Sequence, residues 1–140
     1  MTPSDLRDIE RLLSDFAWFA DRGDGKSLSE LFLPDAQLQV AGQEHRGREA
    51  IAQDCLRRAS DPHRLVRHVW SNLRIQSEAD DQVNTAAVQL TFEQTSASPN
   101  AQLRVNDLLD QFAKGPDGAW RFARRVISRA MALEVGGPAT

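Results

Sequence analysis

The spacing of apolar residues changes once along this chain, and that change divides it into a helical part and a β part. Over Leu6, Ile9, Leu13, Phe16 and Ala20, with Leu12 and Ala17 beside them, apolar side chains recur every three or four positions. That is the period of a helix with one buried stripe. Beyond Asp61-Pro62 the chain turns to runs rich in Val, Leu, Ile and Trp, with the two-residue alternation of strands. Helices first and strands afterwards predict an α+β domain rather than an alternating α/β one.

Punctuation residues set the expected boundaries. Thr2 caps the first helix, Pro3 suits its first position, Asp5 stands where a capping box places its acid, and Gly23 ends it after Asp21-Arg22. A short helix is expected from Lys26 to Phe32, stopped by Pro34-Asp35. A weakly alternating strand follows from Ala36 to Val40, then a turn-rich loop from Gly42 to Gly47 and a helix from Arg48 to Ala59. Four long antiparallel strands are then predicted: Arg64 to Ser77, Val83 to Thr95, Leu103 to Ala113 and Trp120 to Ala132. Asp80-Asp81-Gln82, a polar loop from Ser96 to Asn100, and Gly115-Pro116-Asp117-Gly118 separate them. Such strands are too long and too few for a sandwich, so the sheet is expected to curl over the helices. One domain over residues 1–135 accounts for the chain, with 136–140 as a frayed tail.

Composition narrows the function. A net charge of −3 does not suit a nucleic-acid-binding module, although 17 Lys and Arg leave room for local basic patches. No apolar run is long enough to cross a membrane, and the polar, acidic start is no secretory signal, so a cytoplasmic location is expected. The one cysteine, Cys55, cannot form an internal disulfide and reads as a packing residue. There is no phosphate loop, no GxSxG elbow, no HExxH and no zinc-like His/Cys spacing, so neither metal nor organic cofactor is expected.

Three histidines remain. His45 and His63 lie in polar segments, whereas His68 sits inside a strand. Facing inward, its imidazole would need a hydrogen-bond partner and would suit proton transfer near neutral pH. It could equally be a satisfied core histidine or a surface one. Asp21 is the partner to consider: it lies near the edge of the apolar stripe, at a helix C-terminus where a negative charge needs compensation. Asn106 and Asp110 share a parity with Leu108 and Phe112; the opposite face is equally mixed, so the pattern leaves their direction open. The cluster Arg121, Arg124, Arg125 and Arg129 reads as a solvated or interface face.

Five segments in this order resemble the NTF2-like superfamily, in particular its SnoaL-like branch: Phe16-Ala-Trp-Phe-Ala-Asp21-Arg-Gly-Asp24, Leu31-Phe-Leu-Pro-Asp35-Ala36, Gly47-Arg-Glu-Ala-Ile51, Arg67-His68-Val-Trp-Ser-Asn72 and Asp117-Gly-Ala-Trp120-Arg-Phe-Ala-Arg-Arg125. The resemblance spans nearly the whole chain. It implies a cone-shaped fold, with N-terminal helices packed in a strongly curved, mixed but mostly antiparallel sheet around one pocket. In dehydratase-like members an Asp ending the first helix pairs with a His of the Arg-His strand; those positions are Asp21 and His68. Such members also place tyrosines in the pocket. This chain has no tyrosine, and Phe16 stands at the first-helix position.

The resemblance implies an acid–base enzyme of dehydratase, isomerase or cyclase type, with His68 and Asp21 catalytic. Phe16, Ala17, Trp70, Phe92, Asn106 and Asp110 are assigned to a small hydrophobic ring compound. The alternatives are a non-catalytic small-molecule-binding module and the β subunit of a ring-hydroxylating dioxygenase. Relatives associate through the outer sheet face, which implies a homodimer or homotrimer. Leu73 and Ile75, alternating away from Trp70 and Asn72, are assigned to that face.

Overall fold

The computed structural model describes residues 1–136, so all but the first residue of the expected tail lies outside the described residues. The elements are α1 (Pro3–Arg22), α2 (Gly25–Ser29), β1 (Phe32–Val40), β2 (Gln43–Arg46), α3 (Arg48–Arg58), β3 (Leu65–Glu78), β4 (Gln82–Thr95), β5 (Ser98–Lys114) and β6 (Trp120–Val135). One six-stranded sheet runs in the order β2-β1-β6-β5-β4-β3. Its pairings are antiparallel except β1 with β6, which is parallel. The fold is therefore α+β with a mixed sheet, as expected.

Both ends of α1 are fixed as the sequence implies. The Asp5 amide donates to Thr2 Oγ1 at 3.1 Å and the Thr2 amide to Asp5 Oδ2 at 2.9 Å. Gly23, at φ 66°, takes the left-handed cap that a side chain would resist. The stripe of Ile9, Leu12, Leu13, Phe16 and Ala17 is buried. Trp120 Nε1 donates to Asp5 Oδ1 at 2.9 Å, tying the helix start to β6. Helix α1 touches β3, at one edge of the sheet, and β6, three strands away, so the sheet wraps around it.

Two expected boundaries move for one reason. The second helix stops at Ser29, and β1 starts at Phe32 rather than Ala36. Phe32 leaves the helix to join an aromatic core: its ring stacks on Phe122 at 4.8 Å, Phe112 lies 4.7 Å from Phe122, and Phe16 meets Phe32 and Phe122 edge-on at 6.1 and 6.0 Å. The parallel register is irregular between Phe32 and Gln37, where Pro34 has no N–H to give. The expected loop from Gly42 to Gly47 is largely strand β2. Ala41 and Gly42, at φ 53° and 74°, make the two-residue turn that folds it back on β1. Similarly, β5 begins at Ser98, inside the segment expected to be a loop.

The long strands are bent by extra residues. On β3 the register shifts between Ser71 and Arg74, with Asn72 at φ 58°. This bulge reverses the side-chain parity beyond it. Leu73 and Ile75 consequently pack against the core on the same side as Trp70, which corrects their assignment to the outer face. A second shift on β6, around Ala123, keeps Phe122 and Arg125 both inside. No helix among the described residues is long and apolar enough to cross a membrane.

Candidate active site

The sheet and the three helices enclose a cavity of about 870 Å³. Phe16, Ala20, Leu28, Leu38, Val40 and Ile51 form much of its apolar wall. The opposite wall is polar and comes from the inner face of the sheet. His68, Thr91 and Arg104 form one cross-strand row, and Gln89, Asn106 and Arg129 the next.

His68 and Asp21 meet at this cavity. His68 Nδ1 lies 2.7 Å from Asp21 Oδ1, and the His68 backbone N–H donates to the same oxygen at 2.9 Å. Both side chains are largely buried, at 14% and 6% exposure. A carboxylate can only accept, so in the neutral imidazole the proton is on Nδ1 and Nε2 keeps its lone pair. Because Nδ1 is occupied by Asp21 while His68 lines the cavity, Nε2 is the nitrogen available to a bound molecule.

Of the six residues assigned to substrate, Phe16 and Asn106 line the cavity. Ala17 is buried in the helix stripe, and Trp70 packs on the core with its indole N–H donating to Ser14 Oγ at 3.0 Å; neither is among the lining residues. Phe92 lies on the outer face, 45% exposed. It shares its side of β4 with Val88 and Leu90, while Thr85, Ala87, Gln89 and Thr91 face inward. The inward rule for apolar residues fails here because the inner face lines a polar cavity. Asp110 points inward but lies outside the large cavity. Arg125 Nε is 3.1 Å from Asp110 Oδ1, and its guanidinium sits 4.3 Å over the Phe16 ring, so the pair lies behind that wall. Burial pushes the Asp110 carboxyl up to about 6 against the opposing pull of Arg125.

Parity alone missed the charged rim. Glu93 accepts from Arg64 at 2.6 Å and Arg104 at 2.9 Å, and all three line the cavity. Asp54, also lining, accepts from Arg57 at 3.1 Å and Arg58 at 2.9 Å, with His45 Nε2 at 3.4 Å. The expected arginine face of β6 divides: Arg121 pairs with Asp117, Arg124 is exposed, Arg125 is buried, and Arg129 is exposed but also lines the cavity. Cys55 lines the cavity too, but burial pushes its thiol up to about 11, so it is no ready nucleophile.

The family profile described as a SnoaL-like domain matches residues 2–126. No curated protein is matched. Similar solved structures include a protein assigned as a scytalone dehydratase from Novosphingobium aromaticivorans DSM 12444 (TM-score 0.84, 22% identity, 98% of this chain and 91% of that one). Another is assigned as an aromatic ring hydroxylase from Novosphingobium aromaticivorans (TM-score 0.85, 15% identity, 96% of each chain). A third is the hexachlorocyclohexane dehydrochlorinase LinA, type 2 (TM-score 0.85, 20% identity, 98% of this chain and 93% of that one). At such identities these likenesses establish the fold.

Proposed function

The chain belongs to the SnoaL-like domain family of the NTF2-like superfamily, and we propose that it is an acid–base enzyme that acts on a small hydrophobic ring compound without a cofactor. The reaction class is dehydration, isomerisation or cyclisation. The observation that carries this reading is His68, bound to Asp21 through Nδ1 on the cavity wall. In the dehydration case, Nε2 takes a proton from a carbon acidified by a neighbouring carbonyl. The C–H electron pair becomes the new double bond as the C–O bond breaks. The imidazolium returns its proton to the departing hydroxyl, which leaves as water. Asp21 balances the transient positive charge. Eliminations also appear in the names of two fold neighbours, a dehydratase and a dehydrochlorinase.

The test is a panel of cyclic β-hydroxy-ketones followed by the ultraviolet absorbance of the conjugated product. His68→Ala should lower turnover by roughly 10²–10⁴-fold. Undiminished turnover in that variant overturns the reading. Tight retention of panel compounds without turnover by the wild type would mark a binding module instead.

The chain should also associate with copies of itself. The outer face carries Val69, Leu90, Val105 and Met131 in one cross-strand row, and Phe92, Leu103 and Leu133 in the next. Exposed apolar surface of this continuity suits an interface, and we place a homodimer or homotrimer contact there.

A further inference from the structure

The polar wall of the cavity has binding capacity that the proposed proton transfer does not use. Gln89, Thr91 and Asn106 are 3%, 3% and 8% exposed, yet their side chains make no hydrogen bond among the described residues. Their polar atoms are not sealed inside the protein but open onto the cavity, where a bound molecule can meet them. Beside Asn106 across the β5–β6 ladder stands Arg129, an exposed side chain that lines the cavity and pairs with no carboxylate among the described residues.

The charged neighbours are already committed. Glu93 is taken by Arg64 and Arg104, Asp54 by Arg57 and Arg58, and Asp61 by the Ser96 hydroxyl and amide and the His63 amide. Among the described residues, four arginines line the cavity against three carboxylates, and Arg129 is the one left over. Together with Asn106 it offers a forked cation and an amide donor, the set that grips a carboxylate.

We infer that the substrate is a ring compound bearing a carboxylate, which Arg129 and Asn106 bind at the β6 side of the cavity while His68 faces the reacting carbon from the β3 side. Strands β3 and β6 lie three spacings of about 4.8 Å apart along the sheet. That span accommodates a ring system between the acid group and the reacting carbon. This specificity rests on the proposed enzymatic reading but is tested apart from it.

Calorimetric titration with naphthoate and adamantanecarboxylate, each against its neutral amide, reads the subsite directly. In the wild type the carboxylates should bind about tenfold more tightly than the amides. Arg129→Gln should erase that preference, and Arg129→Lys should retain part of it. Equal affinity for acid and amide, a preference that survives Arg129→Gln, or no binding of either carboxylate overturns the inference. His68→Ala should keep the preference, because binding does not need the dyad. A lost preference beside His68-dependent turnover condemns the substrate class alone. A retained preference beside His68-independent turnover condemns the chemistry alone.

Discussion

One oxygen of Asp21 accepts twice from His68, once from the ring Nδ1 at 2.7 Å and once from the backbone N–H at 2.9 Å. The side-chain bond sets the tautomer, and the backbone bond holds the carboxylate against β3 whether or not the imidazole is charged. Together they aim Nε2 without any help from a bound molecule.

Asp21→Asn keeps the shape, and because the His68 backbone N–H holds the same atom, the amide oxygen stays against Nδ1 and the tautomer is kept. The variant loses the negative charge that balances the imidazolium. Turnover should therefore fall by roughly 10²–10³-fold, while nitrogen-15 spectra of the histidine ring keep Nδ1 protonated. Unchanged turnover in the variant would remove Asp21 from its charge-balancing role.

Glu93 is the hinge of the charged rim. Burial works against its charge, but hydrogen bonds from Arg64 and Arg104 outweigh this and hold the carboxyl below its ordinary range. Its stabilisation is thus present above the ordinary glutamate value and is lost as pH falls through the lowered one. Glu93→Gln leaves two partly buried arginines facing each other and should cost about 2–3 kcal/mol at neutral pH. It should also make the acid limb of the stability profile shallower. Urea denaturation across the acid range checks both, and an unchanged midpoint at neutral pH would show the triad to be energetically idle.

How much of this was legible in the sequence depends on the residue. Thr2, Asp5 and Gly23 announce the first helix because capping is local chemistry, and the Asp21–His68 contact follows from a family pattern that joins two distant segments. The facing of β3 was not legible, since the extra residue at Asn72 leaves no compositional mark and reverses Leu73 and Ile75. Phe92 was misread for a different reason: apolar residues go inward only where the inside is dry, and here the inner wall carries hydrogen-bonding groups. Arg129 was hidden in an arginine cluster that register shifts on β6 divide among core, cavity and solvent.

The buried pair behind Phe16 gives a pH dependence of the opposite sign. Burial raises the Asp110 carboxyl to about 6, despite Arg125, and pushes the Arg125 guanidinium down. A raised carboxyl means that the folded state binds a proton the unfolded chain has released. The contribution of Asp110 is therefore full below the ordinary aspartate value and is lost as pH rises toward about 6. Asp110→Asn, which cannot ionise, should gain stability relative to the wild type over that interval. Denaturation midpoints measured between those limits should converge or cross, whereas parallel profiles would mean that Asp110 is ionised throughout and the ion pair dominates.

The outer sheet face gives the last prediction. Phe92, Met131 and Leu133 are 45%, 55% and 55% exposed, in adjoining cross-strand rows. In an isolated chain that surface meets water at a cost of about 25 cal/mol per Å² of apolar area, which a second copy would remove. Light scattering of the wild type at micromolar concentration should give two or three times the chain mass. Leu133→Glu places a charge on this face and should return the mass to that of one chain with the far-ultraviolet spectrum intact. Since Leu133 does not line the cavity, naphthoate binding should persist in the variant. A wild type that is already monomeric would show that this face is covered by something other than a copy of the chain, or by nothing at all.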